Sequence, residues 1–325
     1  MCTAISDHTS PSHLFGRTLD LECSYGEQIV ITPRAFPFHF LYEPPTERHL
    51  AMIGTAHLAH GRPLYYDAVN EAGLCVAALN FPAYAAYHPP RTGAHNVASF
   101  EFVPWLLGQC QTLDEARSLL RDTVITPDQA ADDLPATPLH WMVADASGAI
   151  TVESVGDGLK IYDNSVGVLT NSPDFAYHMT HLCNFSRLDS TPPQNTLCPQ
   201  IALSRYSRGM GAMGLPGDAS SASRFVRAVF AQHHTLPETN EISAVNRFFH
   251  VMDTVTCPRG FALTDSGRPI YTVYTSCADT AHSIYYFTTY ANRRIRAVHL
   301  TDADLDAAAL TSFSMDDAQD VAFLR

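Results

Sequence analysis

Residues 1–20 read MCTAISDHTSPSHLFGRTLD. Two runs of small and apolar residues, 2–9 and 13–19, flank a turn signal at Ser10-Pro11-Ser12, so the segment reads as a pair of strands. The first strand opens on Cys2. A cysteine at position 2 becomes the first residue if Met1 is removed, and that removal needs a small second residue. Thiol and α-amine would then belong to one residue. Their ordinary pKa values are about 8.5 and about 8, so the amine is a plausible base for the thiol near neutral pH. An N-terminal residue can supply nucleophile and base together. The alternative at this point is an incidental small residue near a chain end.

The same punctuation recurs outward from this hairpin. Residues 28–33 (QIVITP) and 51–56 (AMIGTA) are strand candidates, the second after a Pro-rich loop at Pro44-Pro45. Residues 73–80 (GLCVAALN) are a continuous apolar run of strand length, as a buried strand requires. A loop rich in Pro, Tyr and Gly follows over 81–93. Helices are expected over 98–110 and from Thr112, where Glu115 three residues on makes a capping-box signature. Residues 139–154 read as a strand pair, and 158–173 give two more strands around Asp163-Asn164. Ser172 is the expected N-cap of the next helix, with Pro173 at its first position. Residues 187–219 are a long irregular excursion with a Gly-rich end. Helices over 219–234 and 240–255 precede closing strands over 272–279, 282–290 and 293–300. No repeat and no Ser/Gly linker divides the chain. The order predicts one α+β domain over 1–325, with antiparallel sheets and segregated helices rather than alternating βαβ units.

Composition narrows the function classes. The chain has 325 residues, 46% of them hydrophobic, enough to bury roughly 75% of the unfolded surface. The net charge of −13 repels nucleic acid and anionic membrane, so neither is an expected partner. An anionic ligand would have to be held by locally placed arginines. No apolar run approaches the ~18–20 residues of a membrane span. The N-terminus lacks a basic region followed by an apolar core, so a cytoplasmic protein is expected. The eight cysteines form no C-x-x-C pair, and the 16 histidines lack acidic or thiol partners at ligand spacing. Neither a metal nor a cofactor is expected.

Other residues could complete a site around Cys2. Arg17 and Asp20 lie three apart at a strand end. Strand alternation puts them on opposite faces unless the chain bends, and a solvated surface pair is the alternative. Asn171 ends a strand, where its amide suits an oxyanion donor or a turn. Asn80 ends the buried run 73–80. Arg224 falls in the first turn of a helix, against the preference of the helix dipole.

Taken together, MCTAI, HLFGRTLD, YDAVNEAGL, ALNFP, TPLHWMVAD, NSVGVLTNSPDF, GLPGDASSASRF and YTSCAD resemble the choloylglycine hydrolase family of conjugated bile salt hydrolases and penicillin V acylases. They run in order from residue 1 to about residue 290. The resemblance implies an N-terminal nucleophile hydrolase with a four-layer αββα sandwich. It implies that Met1 is removed and that Cys2 attacks an amide carbon, its α-amine taking the thiol proton. By motif position, Arg17 and Asp20 support Cys2 and its amine. Asn171 and the backbone N–H of Asn80 form the oxyanion site, and Arg224 completes the polar network. Asparagine at position 80 favours bile salts over penicillin V. Leu19, Tyr25, Leu134 and Leu139 are the expected apolar substrate contacts. Residues 187–219 correspond to an assembly segment, implying a homotetramer. Two departures from the family pattern are Ala4 and Ser221. The implied substrates are glycine- or taurine-conjugated bile salts. A second reading is the same chemistry on penicillin V or another acyl amide, such as an acyl-homoserine lactone. A third is a catalytically silent sterol-binding relative.

Overall fold

In a computed structural model the chain is described over residues 1–315 and 318–324. The opening segment forms the expected hairpin of β1 (Cys2–Asp7) and β2 (Leu14–Leu21). Next come β3 (Gln28–Thr32), β4 (Met52–Ala59), β5 (Arg62–Asn70), β6 (Cys75–Asn80) and β7 (His95–Ala98). Helices α1 (Phe102–Gln109) and α2 (Leu113–Leu120) precede β8 (Thr123–Thr126). Strands β9 (Leu139–Asp145), β10 (Gly148–Val155), β11 (Gly158–Asp163) and β12 (Val168–Leu169) lead to α3 (Phe175–Leu182). Beyond the excursion lie α4 (Ser221–His234) and α5 (Glu241–Asp253). The chain closes with β13 (Ala262–Leu263), β14 (Pro269–Asp279), β15 (Ile284–Thr289), β16 (Arg296–His299) and β17 (Thr311–Ser314).

One sheet runs β12-β1-β2-β14-β15-β16, with β13 on β14; the other runs β11-β10-β9-β6-β5-β4-β3-β17. Every pairing in both is antiparallel. β1 and β2 pack face to face against β6 of the second sheet. Helices α4 and α5 cover the outer face of the first sheet, and α1 and α2 that of the second. The result is the expected α+β, αββα order of layers.

Alternation explains why the strands read as unbroken apolar runs. In β6, Cys75, Ala77 and Leu79 face the core between the sheets, while Val76 and Ala78 face α1. In β9, Met142 and Ala144 point inward, while Trp141 and Val143 point to the helices. A strand covered on both faces needs apolar residues at both parities.

Two local expectations are corrected, and one strand was not expected. The helix expected over 98–110 begins only at Phe102, because residues 95–98 pair in parallel with β8. Glu101 at its start makes no cap bond, and its carboxylate accepts the Leu41 N–H instead. Ser172 is not the N-cap of α3. Asp174 is, accepting the Tyr177 N–H at 2.8 Å, while the Ser172 hydroxyl donates to the Pro82 carbonyl at 2.7 Å. Strand β5 went unread because Pro63, Asp67 and Asn70 interrupt its apolar pattern. No described helix is long and apolar enough to cross a membrane.

Candidate active site

The hairpin register places the reactive candidate. Cys2 lies directly across from Leu19, and Ala4 across from Arg17. Met1 extends the ladder: its amine donates to the Asp20 carbonyl at 2.7 Å, and its carbonyl accepts the Asp20 N–H at 2.9 Å. Cys2 is 2% exposed, so its thiol is buried rather than on a free surface. The Cys2 N–H donates to Asn171 Oδ1 at 2.8 Å.

Arg17 and Asp20 are both fully buried, which overturns the surface-pair alternative. They do not bond to each other. Arg17 donates to three backbone carbonyls: Thr18 (3.2 Å), Tyr66 (3.1 Å) and Ala78. Its Nη2 has no partner among the described residues. Burial works against the charge of Arg17, but Cys2, Tyr274, Asp67 and Asp20 around it hold its pKa above the ordinary value. The Asp20 carboxylate accepts the Thr272 hydroxyl at 2.6 Å and the Thr18 hydroxyl at 3.3 Å. The irregularity that serves Asp20 sits in the neighbouring strand, where the β14 register shifts between Thr272 and Tyr274. Gly16 allows this close approach: a Cβ there would lie 2.0 Å from the Ser276 carbonyl oxygen. Ser276 Oγ in turn accepts the Arg17 N–H at 3.1 Å.

Arg224 and Asn171 close the site from α4 and the end of β12. Arg224 Nη1 donates to the Cys2 carbonyl and to Thr3 Oγ1 (2.7 Å), and Nη2 donates to Asn171 Oδ1 (2.7 Å). Burial pulls its pKa below the ordinary arginine value, with Asp20 and Cys2 acting the other way. Two donors on Asn171 Oδ1 fix the orientation of the amide. Its Nδ2 then faces Asn80, whose carbonyl it meets at 2.7 Å. That bond uses one of two hydrogens on Nδ2, leaving the second for a further acceptor. Leu139, opposite Asn80, gives its N–H to the Tyr87 hydroxyl, while the ladder continues one residue on with the Phe81 N–H donating to the Pro138 carbonyl at 2.8 Å, so Asn80 and Leu139 are a non-hydrogen-bonded pair.

The network also includes Ser221, named from the sequence only as a departure from the family pattern, and His178 and Asp67, which sequence reading did not single out. Ser221 Oγ sits 2.9 Å from Asn171 N and 2.8 Å from its carbonyl oxygen. His178 Nε2 donates to the same carbonyl at 2.8 Å, and burial lowers its pKa to about 4. Asp67, wholly buried, accepts from Tyr274, Tyr285 and Ser276, and burial raises its pKa. The available signal was a polar residue inside an otherwise apolar strand, as in YYDAVN.

The four expected apolar contacts divide. Leu19 is buried across from Cys2, and Leu139 is half-buried across from Asn80. Tyr25 is exposed four residues past the end of β2. Leu134 is half-buried in the loop before β9, tied to Ala131. Glu241, Asp279 and His282 offer ligand atoms within 4.8 Å of one another, but at the opposite end of the first sheet.

The site can therefore present a thiol beside two buried guanidinium groups and an oriented amide. Residues 2–313 match the linear amide C–N hydrolases of the choloylglycine hydrolase family. The chain is 43% identical over 315 residues to a bile salt hydrolase/transferase of Lactiplantibacillus plantarum, covering 97% of each. Its fold superposes on the C2A mutant of conjugated bile acid hydrolase from Clostridium perfringens with a TM-score of 0.92 and 30% identity, covering 100% of both chains. Penicillin V acylase from Agrobacterium tumefaciens shares the fold, with a TM-score of 0.76 at 19% identity, covering 97% of this chain and 91% of that one.

Proposed function

Because the chain belongs to the choloylglycine hydrolase family, we propose that it hydrolyses the amide bond of glycine- or taurine-conjugated bile salts, with Cys2 as nucleophile. The near full-length likeness to a bile salt hydrolase/transferase supports the substrate class. The observation that carries the mechanism is the buried Nη2 of Arg17, without a partner among the described residues, on a guanidinium whose charge is favoured most by Cys2. A buried donor without an acceptor is costly, and a thiolate beside it would remove that cost.

Removal of Met1 turns the Cys2 nitrogen into the α-amine, held by Asn171 Oδ1, and frees the N–H and C=O of Asp20. The amine takes the thiol proton, and sulfur bonds to the amide carbon. The carbonyl oxygen becomes an oxyanion, met by the free N–H of Asn171 Nδ2 and by the Asn80 backbone. On collapse the carbon–nitrogen bond breaks, and the ammonium returns its proton to the leaving glycine or taurine. Water then hydrolyses the thioester. Arg224 keeps Cys2 in place through its bond to the Cys2 carbonyl, and the Asp20 carboxylate, fixed by the Thr272 and Thr18 hydroxyls, supplies a negative charge to steady the ammonium. Leu19, Tyr25, Leu134 and Leu139 supply the apolar side of the sterol groove. We assign the protein to the cytoplasm as a single domain acting as a homotetramer. Leu197, Ile201, Leu203 and Tyr206, exposed on the 187–219 excursion, support assembly through that segment.

A rate panel on taurocholate, glycocholate and penicillin V, with intact mass recorded on the same sample, tests this reading. Both bile salts are expected to turn over faster than penicillin V in protein lacking Met1. Faster turnover of penicillin V, or hydrolysis by protein that quantitatively retains Met1, would overturn it.

A further inference from the structure

The stretch TPLHWMVAD contributes one residue that the mechanism above leaves unused. His140, in β9, is wholly buried. Its Nε2 lies 2.9 Å from the Thr170 carbonyl, which can only accept, so Nε2 carries the hydrogen and donates. Its Nδ1 meets Glu153 Oε1 at 3.1 Å, and Glu153, in β10, is also wholly buried. The same Glu153 oxygen accepts the Phe175 N–H at 3.0 Å. The face of the His140 ring stacks on Phe81, with centroids 4.2 Å apart and planes 6° from parallel.

These four contacts share a pattern. Thr170 immediately precedes Asn171, and Phe175 opens α3 just beyond the turn that follows it. Phe81 immediately follows Asn80. One buried pair thus grips the chain beside both residues assigned to the oxyanion, while bonding to neither side chain and not to Cys2. We propose that His140 and Glu153 are positioning residues that set the spacing between the Asn171 amide and the Asn80 backbone. The proposal rests on the oxyanion assignment above.

Core filling alone does not account for the pair. Replacing a buried ionisable pair with apolar groups of similar volume is often neutral or stabilising. Glu153 Oε2 has no partner among the described residues, a further cost. What the pair does provide is geometry. A donor displaced by an ångström from the developing oxyanion costs about 100-fold in rate.

The test compares His140→Phe, His140→Gln and Glu153→Gln with the parent enzyme. Readouts are kcat, KM, melting temperature and affinity for the aldehyde analogue of the bile acyl group. The thiol adds across that aldehyde carbonyl: sulfur bonds to carbon, the thiol proton passes to the Cys2 α-amine, and the carbonyl π pair moves to the oxygen, which occupies the oxyanion position. His140→Phe keeps volume and stacking but loses both bonds, and should lower kcat and aldehyde affinity together by about 100-fold. KM and affinity for the free bile acid should change less than about threefold. His140→Gln keeps a donor for Thr170 and should recover part of the loss. Should His140→Phe fail to fold, Glu153→Gln carries the same test, since it keeps an acceptor for the Phe175 N–H but removes the carboxylate that faces His140 Nδ1. A loss of kcat with unchanged aldehyde affinity, or a kcat within about threefold of the parent, overturns the positioning role. Asn171→Ala run alongside separates the two levels. Loss at 171 without loss at 140 and 153 overturns the positioning role alone. No loss at 171 overturns the donor assignment beneath it.

Discussion

The two ends of β1 each bury an arginine, and they treat it differently. At the Asp7 end, Arg247 from α5 is ion-paired with the Asp7 carboxylate. It also donates to Thr9 (2.8 Å), Ser10 (3.1 Å) and Thr235 (3.0 Å). At the Cys2 end, Arg17 and Arg224 donate to carbonyls, a hydroxyl and an amide oxygen. Among the described residues no carboxylate oxygen bonds to either. A cation already neutralised locks a fold. A cation given only neutral acceptors keeps its field for an anion that forms later, and in a low-dielectric interior that field is strong.

The largest effect belongs to the nucleophile. Cys2→Ser should lower glycocholate hydrolysis by at least about 10⁴-fold, since a hydroxyl ionises far less readily than a thiol. Its melting temperature should stay near the parent's. Full activity would remove the functional half of the comparison. Next comes a swap between the ends. Arg224→Met should cost about 10²–10³-fold in kcat/KM. Asp7→Asn should leave the kcat/KM of folded protein unchanged but cost about 3–5 kcal/mol in chemical unfolding, because it strands a buried charge. If both variants lose activity alone, or both stability alone, the ends do not differ as described.

The smallest effect is on pH. Burial holds His178 near the Cys2 end at about 4 and His13 near the Asp7 end at about 3, both below the ordinary 6.5. These two histidines therefore bind fewer protons in the folded chain than in the unfolded chain below about pH 6.5. Their contribution to stability is complete above that pH and is lost as pH falls toward 4 and 3. Glu101, raised to about 7 by burial, acts the other way, so the comparison is between proteins: across pH 7 to 4 the unfolding free energy of the parent should fall relative to that of His178→Gln. An unchanged slope in that variant would assign the acid sensitivity elsewhere.

How far the sequence could be read depended on the kind of signal. Unbroken apolar runs and turn residues marked β1, β2, β6, β9 and β10, because strands covered on both faces are apolar at both parities. They missed β5 and β17, where polar or exposed residues break the pattern. Thr112 was legible as a cap, since its hydroxyl needs only the Glu115 N–H three residues on. Asp174 was not, because Ser172 offered the same local chemistry until the Pro82 carbonyl drew its hydroxyl away. Residue identities in motif order pointed to Cys2, Arg17, Asp20, Asn80, Asn171 and Arg224. Spacing could not say how Arg17 and Asp20 meet Cys2, since the ladder shift that brings Thr272 to Asp20 lies in another strand.

By itself the sequence determined the α+β class, the hairpin that starts at Cys2, and the residue types gathered for amide chemistry. These follow from side-chain periodicity and from which groups can attack, donate or ionise. Only the tertiary structure decided which arginines lack a carboxylate, which way the Asn171 amide points, and that His140 and Glu153 stand behind it. Those depend on contacts between residues far apart in the chain, 222 positions from Arg224 to Cys2 and 240 from Arg247 to Asp7. The free energy of each polar group is set by what surrounds it after folding, not by its neighbours in the chain.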